Sequence, residues 1–229
     1  HGDSMHVAKI DPDREGYQIF NVFEEGKAAP YGYALRDAKT GEVFFGEYYE
    51  GDLGRCMIGD VTDGRGLEVW AMQMRNVKGE FLDVKNPSTN MKIYWAGDLT
   101  TQFTDGADYL GEQRKCGMIS DLRHGVMLMP EGTLTNNGTK GNPGLVADVF
   151  GDFREEILLR TEDSTAIRVY TTTDVTTHKL HTLMHDTMYR CGVAWQNNCY
   201  NQPGYPSFYY AHDMDFRDVW VAMEAEKKG

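Results

Sequence analysis

The segment "ADVFGDFREEIL", residues 147–158, places an aspartate, a polar loop and two glutamates before an apolar run. Two other segments are built alike, "IDPDREGYQIF" from Ile10 and "GDVTDGRGLEVW" from Gly59. Their leading aspartates, at positions 11, 60 and 148, recur at about one and two intervals of roughly 40 to 50 residues. A repeat of this length, with several short strands in each unit, is typical of β-propeller blades.

The rest of the chain also predicts strands, because short apolar runs alternate with Gly and Asp turns and helical periodicity is nearly absent. Hairpins are predicted around Lys39-Thr40-Gly41 and Asp163-Ser164-Thr165. Further strands are predicted at 17–23, 67–72, 91–97 and 218–223. We therefore predict an all-β fold, a β-propeller of which residues 1–229 supply about four to five blades. A β-sandwich with acidic loops is the alternative.

Composition narrows the possible partners. The 229 residues are 41% hydrophobic with a formal net charge of -12, and the mean hydropathy is -0.53. No apolar run is long enough for a membrane span, and the negative charge argues against a nucleic-acid partner. An acidic polysaccharide would be repelled as well, unless a metal ion or a local basic cluster reverses the field. The four cysteines form no CxxC pair, so a zinc module is not expected.

The acidic loops supply the oxygen ligands that calcium prefers. The alternative is a plain turn in which each aspartate caps its own backbone. At the first residues, "HGDSMH" brings histidines close to an aspartate, although histidine is an uncommon calcium ligand and a solvated terminus is the alternative. The candidate metal ligands are His1, Asp3, Asp11, Asp13, Asp60, Asp63, Glu68, Asp148, Asp152 and Glu156.

The stretch "TNNGTKGNPG", residues 135–144, raises the question of catalysis, because one lysine stands among turn-forming residues. Lys140 is either a solvated turn residue or an amine held over a substrate. His185 precedes Asp186, which would orient an imidazole, but no nucleophile is identifiable nearby. Tyr200 precedes a turn, Asn201-Gln202-Pro203, in which polar groups would converge.

Taken together, these segments resemble the rhamnogalacturonan lyases of the eleventh polysaccharide lyase family, and the likeness covers essentially the whole chain. The motifs that carry it, in order, are "HGDSMHV", "IDPDREG", "YGYALRDAKTGEV", "DLGRCMIGDV", "NNGTKGNPGLVADVFGDFREEI", "TAIRVYTTT", "HTLMHDTMYR" and "GVAWQNNCYNQP". Such a series in the right order is far more specific than one short pattern.

The resemblance implies an eight-bladed propeller, calcium as cofactor, secretion from a bacterium, and β-elimination at the rhamnose–galacturonate bond of rhamnogalacturonan I in pectin. Members of the family are considerably longer. The chain therefore looks like the C-terminal part of the catalytic propeller, and the remaining blades, on a second polypeptide, are a candidate partner. No nucleic acid or membrane partner is expected.

The resemblance also implies roles for individual residues. Lys140 is expected to be the base that removes the C5 proton, Arg55 the group that neutralises the uronate carboxylate, and Tyr200 the group that protonates the leaving oxygen or holds the sugar. The expected substrate-binding residues are Asn137, Gly138, Thr139, Asn201 and His185. The alternative function is a non-catalytic calcium-bearing propeller fragment that binds a glycan or a protein.

Overall fold

A computed structural model describes residues 1–24, 30–108, 115–138, 140–198 and 202–227. Its strands are β1 (Met5–Ala8), β2 (Gln18–Val22), β3 (Tyr33–Asp37), β4 (Val43–Glu47), β5 (Met57–Gly59), β6 (Glu68–Trp70), β7 (Met74–Arg75), β8 (Met91–Ile93), β9 (Gln102–Asp108), β10 (Lys115–Asp121), β11 (Gly125–Leu128), β12 (Thr133–Leu134), β13 (Leu145–Ala147), β14 (Glu156–Thr161) and β15 (Ile167–Tyr170). The helices are α1 (Thr187–Trp195) and α2 (Phe216–Glu226), and a 3-10 turn spans Leu183–His185.

The strands form four antiparallel sheets, each from consecutive strands of the described chain. Sheet 1 contains β1 to β4, sheet 2 contains β5 to β7, sheet 3 contains β8 to β11, and sheet 4 contains β12 to β15. The predicted all-β class is confirmed, because the helices are short and lie at the C-terminal end. The number of blades stays a prediction.

The two predicted hairpins are present. β3 pairs with β4 around Gly41, whose φ of 77° favours glycine. Asp37 closes this turn by accepting the N–H of Lys39 and the N–H and hydroxyl of Thr40. β14 pairs with β15 in the same way, with Ser164 in the left-handed region. Local turn chemistry was therefore sufficient to predict both.

The strand predicted for 218–223 is wrong, because those residues belong to α2. Asp215 caps this helix by accepting the N–H of Arg217. Val219 is buried, and Ala222 and Met223 pack against the same core cluster. A spacing of three and four residues places these side chains on one helical face. The segment is too short for this period to stand out from strand-like apolar residues.

A repeated hydrogen-bond clasp connects the four sheets to the acidic loops. In each sheet, a Glu or Gln that begins a strand accepts two consecutive N–H groups of the loop before it, through one side-chain oxygen. The clasps are Gln18 with Ile10 and Asp11, Glu68 with Val61 and Thr62, Gln102 with Trp95 and Ala96, and Glu156 with Val149 and Phe150. The repeat read from three segments therefore extends to a fourth, which the sequence conceals because Tyr94 stands where sheets 2 and 4 have Asp60 and Asp148.

A buried ion pair joins β8 to the loop before β14. The side chains of Lys92 and Glu155 are fully buried, with Nζ 3.0 Å from Oε2. Tyr189 of α1 donates to the other Glu155 oxygen, and Lys92 Nζ lies 3.4 Å from the centre of the Tyr94 ring. Burial lowers the pKa of Lys92 to about 8, and Glu155 opposes that shift. Sheet 3 is thereby joined to the loop before β14 and to α1.

No helix in the described part of the chain has the length and apolar character needed to cross a bilayer.

Candidate active site

The turn that carries Lys140 is fixed by its own backbone and by β9. The carbonyl of Asn137 accepts the N–H groups of Lys140 and Gly141 at 3.3 and 2.8 Å. Gly141 has a φ of 60°, and a Cβ there would lie 2.3 Å from the backbone nitrogen of Gly106. Any side chain at this position would displace β9, so glycine is required here and the turn packs directly against β9 of sheet 3.

Two basic side chains converge on Asp3. Nζ of Lys140 lies 3.5 Å from Oδ2 of Asp3, and Nη1 of Arg55 donates to the Asp3 carbonyl oxygen at 3.4 Å. The Lys140 side chain is 26% exposed and the Asp3 side chain 17%. The amine is thus partly withdrawn from water but remains accessible to a ligand.

Arg55 itself is almost completely buried, at 5% exposure. Its Nε donates to the carbonyl of Thr89 at 3.1 Å, and its Nη2 donates to the carbonyl of Asn90 at 3.4 Å. These backbone acceptors hold the planar guanidinium in one orientation. An arginine that recognises a carboxylate requires such a fixed geometry.

A second carboxylate, Glu24, joins this cluster. Its Oε2 lies 2.9 Å from Nδ1 of His1. A hydrogen bond with the side chain of Asp3, followed by burial and by the charges of Asp3 and Asp52, raises the pKa of Glu24 to about 6. Gln202 adds a hydrogen bond to the Asp3 carbonyl at 3.0 Å. Two carboxylates held against each other provide a place where a cation relieves repulsion.

The other predicted substrate residues are only partly described. Asn137 and Gly138 belong to the Lys140 turn, whereas Thr139, Tyr200 and Asn201 lie outside the described residues. His185 lies in a separate cluster, where its ring centroid is 6.3 Å from that of His181 and it lines a cavity with Glu226. Its neighbour Asp186 caps α1 by accepting the N–H of Tyr189.

The carboxylate of Asp148 is saturated with local donors. It accepts the backbone N–H groups of Gly151, Asp152, Phe153 and Leu183 and the hydroxyl of Thr182. Each carboxylate offers about four lone-pair sites, so no acceptor capacity is left for an ion. The alternative in which the aspartate caps its own backbone describes this loop.

The remaining predicted metal ligands also have partners. Asp11 accepts from Asp13 and Arg14, Asp13 pairs with Arg65, Asp60 with His212, Asp63 with Arg123, Asp152 with Arg154, and Glu68 and Glu156 form the clasps described above. Burial raises the pKa of Asp60 to about 6, against the opposing effect of His212. No group of three or more His, Cys, Asp or Glu side chains in the described residues is arranged to hold a metal ion.

Sequence reasoning missed two carboxylates that shape this region. Glu24 follows β2 within "NVFEEG", and Asp105 lies within β9 beside Gly106. Neither stands in a motif. The pairing of β1 with β2 brings Glu24 to Asp3, and the Lys140 turn packs on the backbone of Asp105. No local signal would have identified them.

An all-β scaffold that presents an amine and a buried guanidinium beside paired carboxylates is suited to handling an acidic sugar. The chain belongs to rhamnogalacturonan lyase family 11, since residues 1–219 match the model of its C-terminal domain.

Two curated relatives from Bacillus subtilis (strain 168) differ in the mode of cleavage that their names state. The chain is 44% identical to rhamnogalacturonan exolyase YesX over 93% of its own length and 37% of that protein. It is 46% identical to rhamnogalacturonan endolyase YesW over 93% of its length and 34% of that protein. The chain therefore spans little more than a third of the curated relatives it matches.

Solved structures agree with these matches. The crystal structure of exotype rhamnogalacturonan lyase YesX superposes with a TM-score of 0.87 and 44% identity, covering 94% of this chain and 38% of that one. Bacillus licheniformis rhamnogalacturonan lyase PL11 gives a TM-score of 0.87 with 41% identity, covering 96% of this chain and 37% of that one.

Proposed function

We propose that this chain contributes the basic groups of the active site in a lyase that cleaves rhamnogalacturonan I between rhamnose and galacturonate by β-elimination. The observation that carries the proposal is the convergence of Lys140 and Arg55 on Asp3. The names of the relatives supply the polymer, and the basic pair supplies the local positive charge that a chain of net charge -12 needs to hold a polyanion.

The reaction defines what the site must do. A base removes the proton on C5 of the galacturonate, negative charge develops on the adjacent carboxylate, and the glycosidic oxygen leaves from C4. Removal of the carbon-bound proton is the difficult step, so stabilisation of the enolate-like charge contributes most to the rate. The product carries a C4–C5 double bond conjugated with the carboxylate.

The two basic residues fit different parts of this reaction. Arg55 has a permanent charge and a fixed orientation, and it is therefore suited to hold the uronate carboxylate and poorly suited to accept a proton. Lys140 acts as the base once its amine has lost a proton, and the rigid turn holds the amine in place. Tyr200 is proposed to protonate the leaving oxygen or to hold the sugar.

Calcium is part of the proposal, and the described residues offer two adjacent carboxylates for it without a complete set of protein ligands. The acidic loops are less suitable, because Asp148 and Glu156 already accept several hydrogen bonds and Asp13, Asp60, Asp63 and Asp152 are paired with basic side chains. Asp3 and Glu24 provide two adjacent carboxylates beside the basic pair, and water and the uronate carboxylate would have to supply the remaining oxygen ligands. A calcium ion bound there would supply Lewis-acid stabilisation of the uronate carboxylate.

The remaining proposals concern the whole protein. The repeated clasps in four successive sheets support a propeller of which this chain forms part. The relatives are almost three times as long as the segments they share with the chain, so further blades are proposed to complete the fold. A plant cell-wall polymer lies outside bacterial cells, and the lyase is therefore proposed to be secreted.

The proposal is tested with Lys140→Met in the complete polypeptide. The variant should lose at least about 1000-fold in kcat on rhamnogalacturonan I, followed by ultraviolet absorbance of the unsaturated product. Lys39→Met, in the exposed β3–β4 turn, is the matched control and should retain wild-type activity. Retention of the rate by Lys140→Met, with the fold intact by circular dichroism, would remove the base assignment.

The alternative function, a calcium-bearing module that only binds a glycan, predicts a different result. Wild-type protein would then bind rhamnogalacturonan I without releasing unsaturated product, and Lys140→Met would change only the affinity. Arg55→Lys separates the roles further. A lysine keeps the charge but loses the bidentate fork, so a lyase should lose kcat by about 100-fold while the fold is preserved.

A further inference from the structure

Asp105 lies where three segments of the candidate site meet. The antiparallel register of β8 and β9 pairs Met91 with Thr104, so the next step places Asn90 opposite Asp105. Oδ1 of Asp105 accepts the side-chain N–H of Asn90 at 2.8 Å, and Oδ2 accepts the hydroxyl of Ser88 at 2.7 Å. A third bond, from the backbone N–H of Gly106, fixes the carboxylate to its own strand at 2.7 Å.

These bonds hold the segment that orients Arg55. The carbonyls of Thr89 and Asn90 accept the Arg55 guanidinium, and the residues on either side of Thr89 are tied by their side chains to Asp105. Without the carboxylate, the Ser88–Asn90 loop would lose both side-chain attachments to β9. The acceptors for Arg55 would then no longer be fixed relative to sheet 3.

The same residue supports the turn of Lys140. A Cβ on Gly141 would lie 2.7 Å from the carbonyl carbon of Asp105 and 3.1 Å from its Cα. The turn therefore rests directly on the backbone of Asp105, and its neighbour Lys140 reaches Asp3 from there. Arg55 and Lys140 come from distant parts of the sequence, yet both are located with reference to Asp105.

We propose that Asp105 is a positioning residue that sets the distance between the Arg55 guanidinium and the Lys140 amine. The proposal rests on the proposed function of that pair. In the contacts described above, Asp105 acts through the Ser88–Asn90 loop on one side and through its backbone on the other. Displacement of a reacting group by about 1 Å can lower a rate by about 100-fold, so a carboxylate outside the reacting atoms can control the rate.

Asp105→Ala is expected to lower kcat by about 30- to 100-fold while KM changes less than about 3-fold, because polymer contacts remain and alignment is lost. Asp37→Ala is the matched control. Like Asp105, Asp37 accepts three hydrogen bonds, but it lies in the turn of the β3–β4 hairpin. It should leave both constants at wild-type values. Asp105→Asn should retain activity within about 5-fold, since its amide oxygen still accepts from Asn90 and the Ser88 hydroxyl can reverse its role.

A double-mutant cycle tests the route. Asn90→Ala removes one attachment to Asp105, and the combination of Asn90→Ala with Asp105→Ala should cost little more than Asp105→Ala alone. If the fold-losses in kcat of the two single variants multiply in the double variant, Asp105 does not act through this loop. Equal kcat values for Asp105→Ala and Asp37→Ala would overturn the proposal.

Hydrogen exchange keeps this inference separate from the proposed function. If the Asp105 carboxylate fixes the Ser88–Asn90 loop, amides in 88–90 should exchange faster in Asp105→Ala than in wild-type protein. Those of the β3–β4 turn should not, and neither should those of the Lys140 turn, which packs on the backbone of Asp105. Unchanged exchange at 88–90 overturns the positioning role whether or not the protein is active. Faster exchange in Asp105→Ala, combined with a wild-type protein that yields no unsaturated product, would instead contradict the lyase proposal alone.

Discussion

The loop around Asp148 and the cluster around Asp3 are both rich in carboxylates, but the two regions use them in opposite ways. Asp148 is 1% exposed and accepts five hydrogen bonds from nearby donors. Asp3 and Glu24 face each other, and Asp3 also faces the amine of Lys140. The first arrangement satisfies the charge within the fold, whereas the second leaves acidic groups whose repulsion a ligand relieves.

The difference shows what an acidic residue in a loop signifies. Both regions suit calcium when judged by residue type and spacing, yet the number of local donors decides which carboxylates remain accessible to an ion. A loop in which successive N–H groups point at one carboxylate has folded around it. The stability of the fold and the chemistry of the site should therefore respond to different substitutions.

Among the effects that distinguish the two regions, the largest is expected from calcium removal. Chelation of calcium in the complete polypeptide should lower kcat on rhamnogalacturonan I by at least about 100-fold, because a Lewis acid at the uronate carboxylate contributes several kcal/mol to stabilisation of the transition state. Return of calcium should restore the rate. Calcium should also raise the thermal unfolding temperature of the wild-type protein, since a ligand that binds only the folded state stabilises it.

Variants of the two regions locate that effect. Asp3→Asn should abolish the calcium-dependent rise in unfolding temperature. Asp63→Asn, in an acidic loop where Asp63 is 96% exposed and pairs with Arg123, should retain it. The assignment of calcium to the Asp3 cluster would be wrong if Asp63→Asn removes the calcium-dependent rise in unfolding temperature and Asp3→Asn preserves it. The ion would then bind to the acidic loops.

The next effect is on stability alone. Asp148→Ala removes the acceptor for five donors, several of them buried, and should lower the free energy of unfolding by about 3 to 5 kcal/mol. Asp11→Ala, in the equivalent loop of sheet 1, removes the acceptor for Asp13 and Arg14 and should cost only about 1 kcal/mol. Urea unfolding measures both. Similar costs for the two substitutions would show that hydrogen-bond number does not distinguish these loops.

Much of the fold could be predicted from local sequence. The hairpin turns at Gly41 and Ser164 depend on residues a few positions apart, and so does the clasp that Glu156 makes with the preceding loop. The period of the acidic segments follows from the repetition of this clasp. α2 was mistaken for a strand because its apolar face is only Val219, Ala222 and Met223, too few residues to establish a period.

The site could be predicted only where a resemblance supplied it. Nothing local connects Lys140 with Arg55, and the contacts that join them pass through Asp3 and Asp105, each from another sheet or segment. Glu24 is equally distant in sequence from Lys140. Spacing along the chain indicates which loops bend, but it does not determine which loops meet.

The smallest effect concerns His6, on the strand that follows Asp3. His6 is 1% exposed, its Nε2 lies 2.8 Å from the Cys56 carbonyl, and the hydroxyl of Tyr205 lies 3.1 Å from its Nδ1. Burial, together with the charges of Arg55 and Lys92, lowers the pKa of His6 to about 4, against the hydrogen bond to Cys56, which raises it.

The unfolded chain binds a proton at His6 below its ordinary pKa of about 6.5, while the folded chain does not until about pH 4, so stability is present above pH 6.5 and is lost as the pH falls through this range. Between about pH 7 and pH 4.5 the wild-type protein should lose roughly 2 to 3 kcal/mol more than His6→Gln, measured by urea unfolding. Activity of His6→Gln near pH 7 should remain within about 3-fold of wild type, because His6 is buried in β1, where its ring contacts Cys56 and Tyr205 and stabilises the fold. If the free energy of unfolding of the two proteins depends on pH with the same slope, the acid sensitivity comes from carboxylates and not from His6.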